Sequence, residues 1–156
     1  MTVRRAFSLI ESMVVIVVLA ISVPPTLMLM DDAASDRVDS VSTTRATVLA
    51  AAVLEQVIAD VHSPATGLGF AAFDDPPTYL DTAGTGLRDR LTDVSSVYDS
   101  LGLSYSVDIG ALVDQGGVVS GDSGLDVFRR ITVTIDFPSA RVGTLSLAVS
   151  TMVTEL

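Results

Sequence analysis

From residue 13 to residue 30 the chain carries no charged side chain, and nothing else in the sequence constrains its fold as strongly. As an α-helix this run would be about 27 Å long at ~1.5 Å per residue. That is close to the roughly 30 Å of a bilayer's hydrocarbon core. Extended back to Phe7, with the single acid Glu11 tolerated, the segment is long enough to cross. Arg4 and Arg5 stand just before it. A basic head followed by an apolar stretch is how a chain inserts from the cytoplasmic side, so the head is expected to stay inside and the remainder outside.

Composition supports this division. The 156 residues are 49% hydrophobic and 18% charged. Those figures are compatible because the apolar residues are concentrated at one end. The length suits one domain plus a short appendage, which excludes a fully disordered chain and a multi-span transporter. Net charge is −10, from nine basic residues, all arginine, and nineteen acidic ones. Beyond Ala6 seven arginines face all nineteen acids, and a body that acidic repels phosphate backbones, which argues against nucleic-acid binding by a basic face. The chain has no cysteine, which removes disulfide frameworks, thiolate metal sites and cysteine nucleophiles.

Glu11 is the anomaly of the apolar segment. An ionised carboxylate inside a bilayer costs at least ~2.5 kcal/mol on insertion scales. Either Glu11 lies hydrated at the headgroup level, or it has a function. The residues around it read Arg5-Ala6-Phe7-Ser8-Leu9-Ile10-Glu11. This resembles the N-terminal signature of type IV prepilins and type II secretion pseudopilins. The resemblance covers roughly residues 1–30. It implies cleavage by prepilin peptidase between Ala6 and Phe7, N-methylation of Phe7, and Glu11 as the fifth residue of the mature chain. Ala6 stands where the family usually has glycine, which implies slower processing. The physical logic is independent of the family. Cleavage creates an amine on Phe7 with an ordinary pKa of about 8. That cation can neutralise Glu11 of an adjacent subunit, so a buried carboxylate becomes a device for registered assembly.

A second reading uses Ala20-Ile21-Ser22, an arrangement of small residues after an apolar core. Ordinary signal peptidase could cut after Ser22 and release a secreted binding module. Glu11 counts against this, as does the apolar run continuing through Leu27, Met28, Leu29 and Met30. An uncleaved anchor is the third reading. Pro24 and Pro25 are expected to interrupt the helix by a kink. Loosening of that segment on assembly is what the resemblance implies instead.

Residues 31–62 are expected to continue the helix. Ala46, Leu49, Val53 and Val57 recur at helical spacing, broadened by Ala50, Leu54, Ile58 and Val61. Arg45, Glu55 and Asp60 are assigned to the wet face. Pro64 and Gly67 mark the stop. Residues 63–103, punctuated by Gly67, Gly69, Pro76, Pro77, Gly84 and Gly86, read as a surface-facing connection with one short helix around residues 87–101. The last third alternates with period two. Tyr105, Val107 and Ile109 lie on a first strand, and Ile131, Val133, Ile135 and Phe137 on a second. Leu145, Leu147, Val149 and Val153 lie on a third, with a turn over residues 138–143. A three-stranded antiparallel sheet, one face packed and one wet, would bury the helix stripe. The expected fold is α+β. It comprises a leader (1–6), a transmembrane and assembly helix (7–30), its amphipathic continuation (31–62) and a globular head (63–156). That is the lollipop architecture of the pilin family.

Catalytic signals are weak. His62 is the sole histidine and cannot form a multi-histidine zinc site within one chain. Gly84-Thr85-Gly86 lacks the third glycine and strand-then-helix context of a dinucleotide loop. There is no P-loop and no serine elbow. Asp114, Asp122 and Asp126 lie in a glycine-rich loop whose oxygens would suit calcium, as in some pseudopilins, although the spacing matches no EF-hand. Hydrated turns are the alternative, and no other cofactor is implied. The expectation is therefore a non-enzymatic structural subunit of a type IV pilus or type II secretion pseudopilus, with small size and absent cysteine leaning toward a minor pilin or pseudopilin. Its implied partners are prepilin peptidase, other pilin or pseudopilin subunits, an inner-membrane assembly platform and the lipid bilayer.

Overall fold

The computed structural model describes residues 9–155. Arg4, Arg5, Ala6 and Phe7 lie outside the described residues; Glu11 lies within them. Two compact units divide between Val38 and Asp39. The first helix, α1, runs over Leu9–Val61, 53 residues, with Pro24 and Pro25 inside it. The expected interruption at the prolines does not end the helix. Each proline removes one donor, which costs the carbonyls of Ala20 and Ile21 their usual partners. A proline's fixed φ still suits a helix, so the helical bonds on either side continue. Thr26 Oγ1 also donates to Ser22 O at 2.9 Å, adding a side-chain bond within the disturbed turn.

Within the second unit, α1 buries Ser42, Ala46, Leu49, Ala50, Val53, Val57, Asp60 and Val61. Steps of three and four residues put these on one stripe. Leu54 is only half-buried and Ile58 is exposed. Asp60 is a correction: assigned to the wet face by pattern, it is 2% exposed.

The connecting region is also more ordered than its punctuation suggests. Phe70–Asp74 forms a 3-10 turn, followed by α2 (Pro76–Asp81), α3 (Leu87–Arg90) and α4 (Thr92–Asp99). Pro76 and Pro77 do not break structure here. They occupy the first turn of α2, where a missing N–H is harmless. Asp75 caps that turn, its carboxylate accepting from Thr78 N at 3.5 Å and Thr78 Oγ1 at 2.7 Å. The single helix expected around residues 87–101 is divided into α3 and α4 at the buried Leu91. Nor is the region wholly surface-facing. Phe73, Tyr79, Leu80, Leu87, Leu91 and Leu103 join the core, with the Phe73 ring edge-on to Tyr79 at 4.6 Å and 88°. Gly102, at φ +79°, makes the turn from α4 into the sheet.

The sheet is antiparallel in the order β1-β2-β3, with β1 over Ser104–Val113, β2 over Phe128–Ser139 and β3 over Gly143–Thr154. The strands fall where the alternation places them. On β2, Ile131, Val133, Ile135 and Phe137 are buried and pair with Thr151, Val149, Leu147 and Leu145 of β3. A bulge interrupts the β1–β2 register between Ile109 and Leu112. The result is an α+β layout: the second half of a long helix, a small antiparallel sheet and the connecting helices share one core.

Candidate functional site: an uncovered apolar helix surface

Residues 9–34 of α1 are exposed on every side of the helix. Ile10 is 70% exposed, Met13 60% and Leu29 68%. This is one helix long and apolar enough to cross a membrane, and none of its apolar window is buried. A core helix of a water-soluble domain would be mostly covered, and a contiguous apolar surface of this extent in water marks an interaction with lipid or protein. Glu11 lies on α1 and is exposed. Ser22 lies inside the continuous helix, between Ile21 and Val23.

The second unit contains a polar cluster that the sequence pattern did not reveal. Arg90 of α3 grips Asp60 with both nitrogens, Nη1 to Oδ1 at 2.8 Å and Nη2 to Oδ2 at 2.6 Å. Tyr79 OH donates to Oδ2 at 2.6 Å and Gln56 Nε2 to Oδ1 at 2.9 Å. Arg90 Nε donates to Thr85 O at 3.0 Å. Burial by itself raises the Asp60 carboxyl. The hydrogen bonds from Arg90, Tyr79 and Gln56, with the charge of Arg90, outweigh it and leave the pKa below the ordinary value. Burial, then the hydrogen bond to Asp60, pushes the Tyr79 phenol far up. The hydrogen bonds to Asp60 push Arg90 up as well. Through Asp60, Tyr79 and Arg90 the cluster ties α1, α2 and α3 together. An open cleft of about 510 Å³ lies beside it, lined by Thr66, Thr78, Thr82, Thr85 and Arg90 among others. Its one cation is already held by Asp60, so the cleft offers no free charged group for a ligand.

Arg129 forms a second cluster. It continues the inward parity of β2 and is 7% exposed. Nη2 bonds Asp74 Oδ1 at 2.5 Å and Nη1 bonds Gly110 O at 3.0 Å, beside the β1 bulge. The guanidinium lies 6.0 Å from the centre of the Phe70 ring, and its Nε is buried without a partner. The signal was available in the sequence, because residue 129 shares the parity of Ile131 and Val133.

The three loop aspartates do not converge. Asp126 accepts from Ser120 N at 3.0 Å, Ser120 Oγ at 2.7 Å and Gly121 N at 2.9 Å. The backbone and then the hydroxyl of Ser120 hold its carboxyl below the ordinary range. Asp114 accepts from Val118 N at 2.9 Å, and Asp122 from Gly124 N at 2.8 Å. Each closes its own turn. Among the described residues no group of three or more histidine or acidic side chains is arranged to hold a metal ion. His62 is exposed just past the end of α1. Gly84-Thr85-Gly86 is a turn between α2 and α3, where a Cβ on Gly86 would lie 2.7 Å from Leu80 O and Thr82 N.

No protein-family model matches the sequence, and no curated protein and no solved structure matches it.

Proposed function

We propose that the chain is a structural subunit, of minor pilin or pseudopilin type, of a type IV pilus or type II secretion pseudopilus. In this reading prepilin peptidase cuts between Ala6 and Phe7, and Phe7 is N-methylated. The N-terminal helix is then passed from the bilayer to a stack of like helices by an inner-membrane assembly platform. The head stays on the outer side of the cytoplasmic membrane. The work done is polymerisation, not catalysis.

One observation carries the reading: an apolar helix bare on all sides holds one acid, Glu11, near its start, within the run Arg-Arg-Ala-Phe-Ser-Leu-Ile-Glu. Lipid satisfies the apolar surface but not the carboxylate. A neighbouring helix carrying a free amine at Phe7 satisfies both. The amine lies four residues before Glu11, about 6 Å along a helix at ~1.5 Å per residue. Pairing between subunits therefore sets an axial stagger.

The test is the N-terminal residue of the mature protein, read by mass spectrometry from native membranes. N-methyl-Phe7 is the expected result. A chain beginning at Val23 would establish release by signal peptidase, and Met1 or Thr2 an uncleaved anchor; either would overturn the proposal.

A further inference from the structure

α4 leaves part of its apolar side uncovered. Val94, Val97, Tyr98 and Leu101 follow at intervals of three, one and three residues, one stripe of a helix, with Leu101 just beyond the helix end. Tyr98 packs on the core, yet no residue of α4 is buried and Val97 is 60% exposed. Asp93 borders the stripe on its Val97 side. Among the described residues its carboxylate has no hydrogen-bonding or cationic partner; only its backbone oxygen accepts, from Ser96 Oγ. The outward side of α1 in the same unit bears a stripe of equal length. Val41 and Val48, seven residues apart, bracket Arg45, and all three are exposed. Among the described residues Arg45 has no ionic or hydrogen-bonding partner, although the chain has nineteen acidic residues.

We propose that α4 of one copy docks on the Val41, Arg45 and Val48 stripe of a second copy, with Asp93 facing Arg45. The occupant follows from charge and geometry. Two bodies this acidic repel each other, an arginine of one facing an acid of the other offsets part of that repulsion, and these two groups each sit beside an apolar stripe. Both stripes span about 10 Å at ~1.5 Å per residue. They share no residue, so every copy offers one of each. Such a contact is heterologous and propagates into an open array instead of closing a dimer. Two short stripes bury too little to hold free molecules together. The contact therefore rests on the filament reading, in which α1 already holds copies at high local concentration.

Because the chain has no cysteine, introduced pairs report cleanly. Full-length Val48→Cys and Val97→Cys chains are produced together and oxidised in native membranes. The two are expected to cross-link, whereas Val48→Cys with Ser106→Cys, on the outer sheet face, is not. Adding Arg45→Asp to the Val48→Cys chain should lower the yield about fivefold, the effect of ~1 kcal/mol from one exposed pair. Asp93→Arg in the other chain should restore it. No product above the control, or a yield indifferent to Arg45→Asp, overturns the contact. So does capture of a different protein by Val97→Cys. The N-terminus of the same material is read in parallel. Missing cross-links in chains that begin at N-methyl-Phe7 refute the contact alone, while a different N-terminus refutes the filament reading, whatever the cross-links show.

Discussion

Asp60 shows how far one residue's role depends on partners distant in sequence. Its carboxylate accepts from Tyr79, 19 residues away, and from Arg90, 30 residues away. Asp60→Ala would strand a guanidinium and a phenol in a largely buried site. Removing one partner of such a pair costs several kcal/mol. With Arg90 a quarter exposed, the expected loss is about 3 kcal/mol, measurable by urea unfolding of the full chain in detergent. The same cluster sets a pH dependence. Because the folded pKa of Asp60 lies below its unfolded value, its stabilisation is fully present above the ordinary carboxylate pKa of about 3.9 and lost as pH falls through the folded one. Tyr79 has the opposite sign. Its raised pKa keeps the phenol protonated in the fold, so stability falls as pH rises past about 10, where the unfolded chain ionises. In the Asp60→Ala chain the acid limb attributable to Asp60 should vanish; a limb of unchanged size would show that other carboxylates set it. At the other end of the chain, the proposed filament function predicts that Glu11→Val leaves membrane insertion and cleavage intact and reduces incorporation into filaments. Normal incorporation, read by subunit content of sheared filaments, would refute the pairing role.

At the scale of elements, the connecting region belongs to the core. The short helices α2 and α3 are too brief to be stable alone. They persist because Tyr79, Leu80 and Leu87 are buried against α1 and the sheet. Phe73, fully buried in the 3-10 turn, should therefore behave as a core residue. Phe73→Ala is expected to cost about 3–4 kcal/mol, the range for a large aromatic that leaves a cavity. A loss under about 1 kcal/mol would mean the turn is a surface feature after all. Sequence punctuation misled here for a physical reason. Glycine and proline mark where the backbone bends, and short helices need such bends at both ends. Pro76 and Pro77 open α2, while the Gly84 turn, at φ +80°, precedes α3.

For the whole molecule, the buried core draws only on residues 46–153, and the division into two units falls between Val38 and Asp39. A fragment beginning at Asp39 should therefore fold without detergent, with the near-ultraviolet circular dichroism of the full-length head and the same urea midpoint to within about 0.5 M. That fragment should retain the cap at its own start, where Asp39 accepts from Ser139 Oγ at 2.9 Å and Ala140 N at 2.7 Å. An unfolded or aggregated fragment would show that residues before Asp39 contribute to the core.

The amino-acid order by itself was sufficient for the apolar helix, its lone acid, the buried stripe on α1 and the three strands. Each of these is a local period of hydrophobicity, and a period is legible wherever neighbours in sequence are neighbours on one face. Only the tertiary structure decided the burial of Asp60, the threading of Arg129 beside the β1 bulge, the closing of three separate turns by Asp114, Asp122 and Asp126, and the partly uncovered stripe of α4. Those outcomes depend on which side chains from distant segments arrive at the same place. Spacing along the chain signals which face a residue is on, as the parity of Arg129 does, but its hydrogen-bond partners are properties of that arrival.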